Sequence, residues 1–102
     1  MASTPNERVG VIGLGAIGQG IATNLLKHGY EVLACEPIGA ALANFEANGG
    51  VPCSSARDVA AGLNTLLVCV YNAEQAHDVL FGPHGALDVL AQDAVIVMHT
   101  TM

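Results

Sequence analysis

Apolar residues recur along this chain in two rhythms. Short, nearly unbroken runs stand at Arg8–Leu14 (RVGVIGL), Glu31–Cys35 (EVLAC), Val51–Cys53, from Asn64 or Thr65 to Val70, and Ala94–Met98 (AVIVM). They are too short for helices, rich in β-branched residues and apolar on both faces, which predicts five strands buried from both sides. Between them the rhythm turns helical. From Ala16 to His28, the residues Ile17, Ile21, Ala22, Leu25 and Leu26 fall on one stripe of a helix that Gly29 stops. Pro37 opens a second helix through about Ala47, closed by Asn48-Gly49-Gly50. Ser54 or Ser55 caps a third, from about Ala56 to Ala61. Further helices are predicted near Glu74–Leu80 and over Ala86–Leu90, with the turn-rich Phe81–Gly85 between them.

Strand and helix alternate throughout. That order implies right-handed βαβ crossovers and a parallel sheet covered on both faces, the doubly wound α/β class. The 102 residues read as one domain, 1–102, with no linker, repeat or low-complexity segment. Hydrophobic residues make up 52% of the chain and charged residues 12%, so a core can be filled. Aromatics are only 4%, with no Trp, and small aliphatic side chains must carry the packing.

Charge then removes whole classes of function. Nine acidic residues against three basic ones give a formal net charge of −6. Arg8, Lys27 and Arg57 are scattered, so no basic face exists for a nucleic acid or an anionic membrane surface. No apolar run reaches the roughly 20 residues that span a bilayer. Met1–Arg8 is polar and carries no signal-peptide core. Cys35, Cys53 and Cys69, odd in number and without CxxC spacing, read as reduced core thiols of a cytoplasmic protein, not as a disulfide frame or zinc site. The four histidines match no ligand spacing, so no metal is expected. Neither a GxSxG elbow nor a GxxxxGK[ST] loop occurs.

One motif carries chemistry. Gly13-Leu14-Gly15-Ala16-Ile17-Gly18 fits GxGxxG, follows the first predicted strand and opens the first predicted helix. Gly13 permits the tight turn, Gly15 lets a pyrophosphate approach the backbone, and Gly18 lets helix and strand pack closely. The helix N-terminus offers unpaired N–H groups and a positive dipole end, so an acidic chain can hold an anionic cofactor without a lysine. Glu36 ends the second strand, 23 residues after Gly13, where a carboxylate accepts hydrogen bonds from ribose hydroxyls. Its charge repels a 2′-phosphate, and Pro37, Ile38, Gly39 and Ala40 supply no cation. NAD is therefore favoured over NADP.

The longer run Val11–Cys35, VIGLGAIGQGIATNLLKHGYEVLAC, resembles the opening of the β-hydroxyacid dehydrogenases. That family includes 3-hydroxyisobutyrate dehydrogenase, tartronate semialdehyde reductase, L-threonate dehydrogenase and, more distantly, 6-phosphogluconate dehydrogenase. Its pattern GLGxMGxxMAxNLLxxGxxV is met here with Ile17 and Ile21 in place of the two methionines. Val79-Leu80-Phe81-Gly82 matches the family's VLFG. Val70-Tyr71-Asn72 stands where members have Leu-Pro-Asp or Leu-Pro-Asn, and Met98-His99-Thr100-Thr101 where they have Asp-x-Ser-Thr. Tyr71 and Met98 are departures from the pattern.

The resemblance implies a Rossmann-type sheet, truncated after the fifth strand, that forms the cofactor-binding portion of an NAD-dependent 3-hydroxyacid dehydrogenase. Leu14, Ala16 and Ile17 would join the three glycines and Glu36 in holding the cofactor. Val70, Tyr71, Asn72 and Gln75 would pass beside it, and Thr101 would approach the nicotinamide. The hydroxyls of Thr100 and Thr101 would contact a small 3-hydroxy acid. The family's general acid/base is a Lys in a GxxxNxxK motif, which would lie past Met102 with the helical domain that builds the homo-oligomer. No catalytic residue is therefore expected within the chain. Lys27 falls at the wrong end of its helix, and His99, on the ligand side, has no acidic partner in sequence. Two other readings share this front end: a non-catalytic NAD(P)-binding or redox-sensing module, and an imine-reductase-like relative.

Overall fold

The computed structural model describes residues 7–36, 39–70, 73–82, 85–86, 89–90 and 94–100. In chain order the elements are β1 (Arg8–Ile12), α1 (Ala16–Lys27), β2 (Glu31–Cys35), α2 (Gly39–Ala47), β3 (Val51–Pro52), α3 (Ala56–Ala60), β4 (Thr65–Val70), α4 (Ala73–Phe81) and β5 (Val95–Thr100). The strands form one parallel sheet in the order β3-β2-β1-β4-β5. The chain winds outward from β1 to β3, returns to the other flank of β1 at β4, and winds outward again. Between β1 and β4 the winding reverses, and in doubly wound sheets the carboxyl ends of the strands at such a point are where ligands bind.

Side chains alternate between the two faces, as the unbroken apolar runs require. Val11, Val32 and Ala34 turn towards α1 and α2, where they meet Ala22 and Phe45. Ile12, Leu66 and Val68 turn the other way and pack on Ala56, Val59 and Ala60 of α3. The sheet is thus buried from both sides.

Several boundaries differ from the sequence reading. β1 ends at Ile12, because Gly13 adopts φ +95° and turns the chain away after its N–H has made a last ladder bond to the Cys35 carbonyl at 3.0 Å. β5 runs on through His99 and Thr100, because pairing with β4 continues to Val70 opposite Thr100. Over Ala86–Leu90 no α-helix is described, and Leu87 and Asp88 lie outside the described residues. The Gly62 N–H donates to the Val89 carbonyl there at 2.8 Å. Pro37, the expected start of the second helix, also lies outside the described residues.

The two sheet edges contrast. β3 is two residues long and contains Pro52, so it offers little to a passing strand. β5 has six residues, VIVMHT, with no proline, acid, lysine or arginine. Its Val97 lies opposite Leu67 on the α1–α2 face, yet Val95 and Val97 are 59% and 48% exposed. Such an edge invites pairing. We expect Val97→Lys to change unfolding free energy by less than about 0.5 kcal/mol and to suppress self-association. Sedimentation of both chains at high concentration checks this, and equal association would clear β5 of the role.

Candidate functional site

β1 delivers the chain to the carboxyl edge beside β4, and the glycine turn redirects it into α1. The turn is locked by backbone contacts. A Cβ on Gly13 would lie 2.0 Å from the Cys69 carbonyl oxygen of β4. One on Gly18 would lie 2.0 Å from the Gly13 carbonyl oxygen and 3.4 Å from the Cys69 Cβ. Strand end, turn and first helical turn are therefore pressed together, which fixes the start of α1 against β4. Cys69, the wall of this arrangement, is the residue that motif reading missed. Its backbone does the work, and no side-chain signal announces it.

Gly15 differs from its two neighbours in the motif. It is exposed, extended (φ −68°, ψ −169°) and serves as N-cap of α1 without a side-chain cap. The first turn of α1 also contains no acidic residue. In α3 the corresponding need is met internally, because Ser55 Oγ accepts the Asp58 N–H at 3.1 Å. The N–H groups that open α1 carry the helix's partial positive charge, which suits an anion.

Glu36 follows β2 directly and leans over this turn. Its Oε1 accepts the Leu14 N–H at 2.5 Å. A charge-assisted bond of this kind holds a carboxylate in place, so the acid and the start of α1 form one unit. The remaining residues singled out in the sequence distribute around the same edge. Leu14 is buried among the side chains under α1, and Ile17 is exposed one turn along. Val70 ends β4 and packs on the α3 side, and Gln75 lies in the first turn of α4. Thr100 ends β5 opposite Val70. His99 is exposed opposite Cys69. Tyr71, Asn72 and Thr101 lie outside the described residues, as do the side chains of Ala16 and Thr100. Lys27 closes α1 at its far end. Among the described residues no three His, Cys, Asp or Glu side chains gather as a metal requires, and no helix is long and apolar enough to cross a membrane.

The three cysteines are free. Burial, then the nearby Cys53, Glu36 and Asp58, push the Cys35 thiol up to about 11. Burial raises Cys53 as well, with Asp58 adding to it, and burial alone raises Cys69. The folded chain keeps Cys35 neutral where an unfolded thiol, ordinarily at 9.0, has lost its proton. Stability present below pH 9 is therefore expected to decline between pH 9 and 11. Two units correspond to about 2–3 kcal/mol. Urea midpoints across that window should fall less in Cys35→Ala, and an identical fall would assign the loss to other groups.

A family model described as the NAD binding domain of 6-phosphogluconate dehydrogenase matches residues 8–102. The chain is 37% identical to L-threonate dehydrogenase of Cupriavidus necator over 97 residues, which are 95% of this chain and 33% of that protein. It is also 37% identical to 2-(hydroxymethyl)glutarate dehydrogenase of Eubacterium barkeri over 90 residues, 88% of this chain and 30% of the other. Among solved structures, 3-hydroxyisobutyrate dehydrogenase of Salmonella typhimurium superposes with a TM-score of 0.86 at 29% identity, covering 93% of this chain and 33% of that one. The chain spans about a third of the length of these relatives.

Proposed function

The chain belongs to the family of the NAD-binding domain of 6-phosphogluconate dehydrogenase, and on that premise we propose that it is the cofactor-binding portion of an NAD-dependent 3-hydroxyacid dehydrogenase. The observation that carries this reading is the uncapped, acid-free N-terminus of α1 with Glu36 bonded to its turn. A dinucleotide offers the complementary groups: a pyrophosphate for the helix end and ribose hydroxyls for the carboxylate.

In this reading Gly13, Leu14, Gly15, Ala16, Ile17 and Gly18 hold the pyrophosphate and Glu36 takes the adenosine ribose. Val70, Tyr71, Asn72, Gln75 and Thr101 border the nicotinamide end, and the hydroxyls of Thr100 and Thr101 orient a small 3-hydroxy acid. Bound NAD supplies the hydride acceptor, and the protein supplies binding and orientation. The general acid/base is a Lys outside these 102 residues, on a helical domain that also builds a homo-oligomer. The two curated relatives, each about three times as long as the match, are named as dehydrogenases of hydroxy acids and support that division of labour. Three free thiols suit the cytoplasmic setting of this reading.

Titration of the chain with NADH and NADPH, followed by nicotinamide fluorescence, tests the reading. Saturable NADH binding, NADPH weaker by at least about tenfold (~1.4 kcal/mol), and no turnover of 3-hydroxy acids are expected. Absence of saturable binding by either nucleotide would overturn it.

A further inference from the structure

Cys35 and Cys53 are 18 residues apart in sequence and neighbours in the sheet. β2 and β3 pair with Ala34 opposite Pro52, and the ladder continues one step, the Cys53 N–H donating to the Ala34 carbonyl at 2.8 Å. Cys35 therefore stands beside Cys53 on adjoining strand paths, which run about 4.8 Å apart. Both side chains pack on the same cluster, built around Ile12, Val59 and Val68, so they share a face. That spacing falls within the roughly 4.4–6.8 Å between Cα atoms that a disulfide accepts. Neither thiol is fully buried. Cys69 cannot compete for either partner from its place, because it lies two strands from β2 and turns to the opposite face, against Gly18. The pair is also tied to the glycine turn. The Cys35 carbonyl accepts the Gly13 N–H at 3.0 Å, and the adjoining Glu36 holds the Leu14 N–H.

We propose that Cys35 and Cys53 form an internal redox pair, whose oxidation to a disulfide draws the ends of β2 and β3 together and shifts Glu36 against the glycine turn. The effect on nucleotide rests on the cofactor reading above, whereas the disulfide itself does not. The oxidant is a small-molecule disulfide. The thiolate of Cys53, the less deeply set of the two, attacks one of its sulfurs. The oxidant's S–S bond breaks, a mixed disulfide forms, and one small thiol leaves with the released proton. The Cys35 thiolate then attacks the Cys53 sulfur, forming the internal bond and expelling the second small thiol. Two protein thiols lose two electrons, and one disulfide becomes two thiols. Burial keeps both cysteines protonated at neutral pH, so exchange is slow there and speeds up about tenfold per pH unit while thiolate is scarce.

The test treats the reduced 102-residue chain with oxidised glutathione at mildly alkaline pH, blocks remaining thiols, and maps the peptides by mass. NADH is titrated before and after. The expected product links the Cys35 and Cys53 peptides within one chain, leaves Cys69 alkylated and retains no glutathione. Its NADH Kd rises several-fold, and a reducing agent reverses the change. Cys69→Ala forms the same link. Cys53→Ser forms none and keeps its NADH affinity under oxidant. Both cysteines found alkylated, a link through Cys69 or between chains, or an internal link that leaves the NADH Kd unchanged would each overturn the proposal. A reduced chain that binds no NADH strikes the cofactor reading instead, and the peptide map, which needs no nucleotide, still decides the pair.

Discussion

Gly13→Ala is expected to cost this domain a large part of its stability, while Gly15→Ala, two residues away in the same motif, is expected to spare the fold and weaken nucleotide binding. The difference lies in what each new methyl group meets. At position 13 the backbone has φ +95°, which costs an L-residue about 1–2 kcal/mol. The added Cβ would also fall 2.0 Å from the Cys69 carbonyl oxygen. That oxygen is backbone of β4, between strand neighbours on both sides, and cannot swing aside as a side-chain tip would. Relief requires prying the turn from β4. A total loss on the order of 3–5 kcal/mol is a large part of the ~5–15 kcal/mol that holds a small domain together. At position 15 the extended backbone suits any residue, and the site is exposed. Unfolding free energy should change by less than about 1 kcal/mol. In the proposed complex the methyl group would stand where the pyrophosphate approaches, and NADH affinity should fall at least about tenfold, or ~1.4 kcal/mol. Urea unfolding and NADH titration of both variants separate the effects. A Gly13→Ala chain with an unchanged midpoint would contradict the steric account. A Gly15→Ala chain with unchanged NADH affinity would contradict the placement of the phosphates.

The contrast also shows what sequence could and could not supply. β1, α1 and β2 were legible because their signals are local: an unbroken apolar run, a glycine turn, a stripe of helical period, a second run ending in an acid. The same signals named Gly13, Gly15, Gly18 and Glu36, and the structure brings all four to the carboxyl edge of the sheet. Contacts set by strand order were not legible. Nothing in sequence couples Gly13 to Cys69, because that contact exists only once β4 has crossed to the other flank of β1. The Leu14–Glu36 bond and the meeting of Cys35 with Cys53 depend in the same way on β2 lying between β1 and β3. Likewise the apolar run of the fifth strand ends at Met98, and it is pairing with Cys69 and Val70 that carries the strand on through His99 and Thr100. The cysteines read as inert core thiols because residue type alone says nothing about which two share a face.

Glu36 offers the sharpest test of cofactor choice, because two substitutions divide its two roles. Its carboxylate accepts the Leu14 N–H and, in the proposed complex, the ribose hydroxyls. Glu36→Ala removes both functions and leaves the N–H without that acceptor. Glu36→Gln keeps an acceptor for the turn and removes only the charge. A hydrogen bond to a charged group contributes about 1.5–3 kcal/mol, so NADH affinity should fall roughly 10- to 100-fold in Glu36→Ala. Glu36→Gln should lose less, because the amide oxygen still accepts. NADPH should respond in the opposite direction. Its 2′-phosphate carries about −1.5 to −2 charges at neutral pH, and with the carboxylate present it faces like charge. Removing that charge relieves repulsion on the order of 1–2 kcal/mol after solvent screening. NADPH binding should therefore strengthen about tenfold in Glu36→Gln, and the NADH preference should shrink towards parity. The gain should fade at high salt, since screening already weakens the repulsion in the wild type. Stability distinguishes the variants independently: Glu36→Ala should unfold about 1 kcal/mol more easily, and Glu36→Gln close to wild type. A Glu36→Gln chain that keeps the wild-type ratio of NADH to NADPH affinity would place discrimination elsewhere on the carboxyl edge.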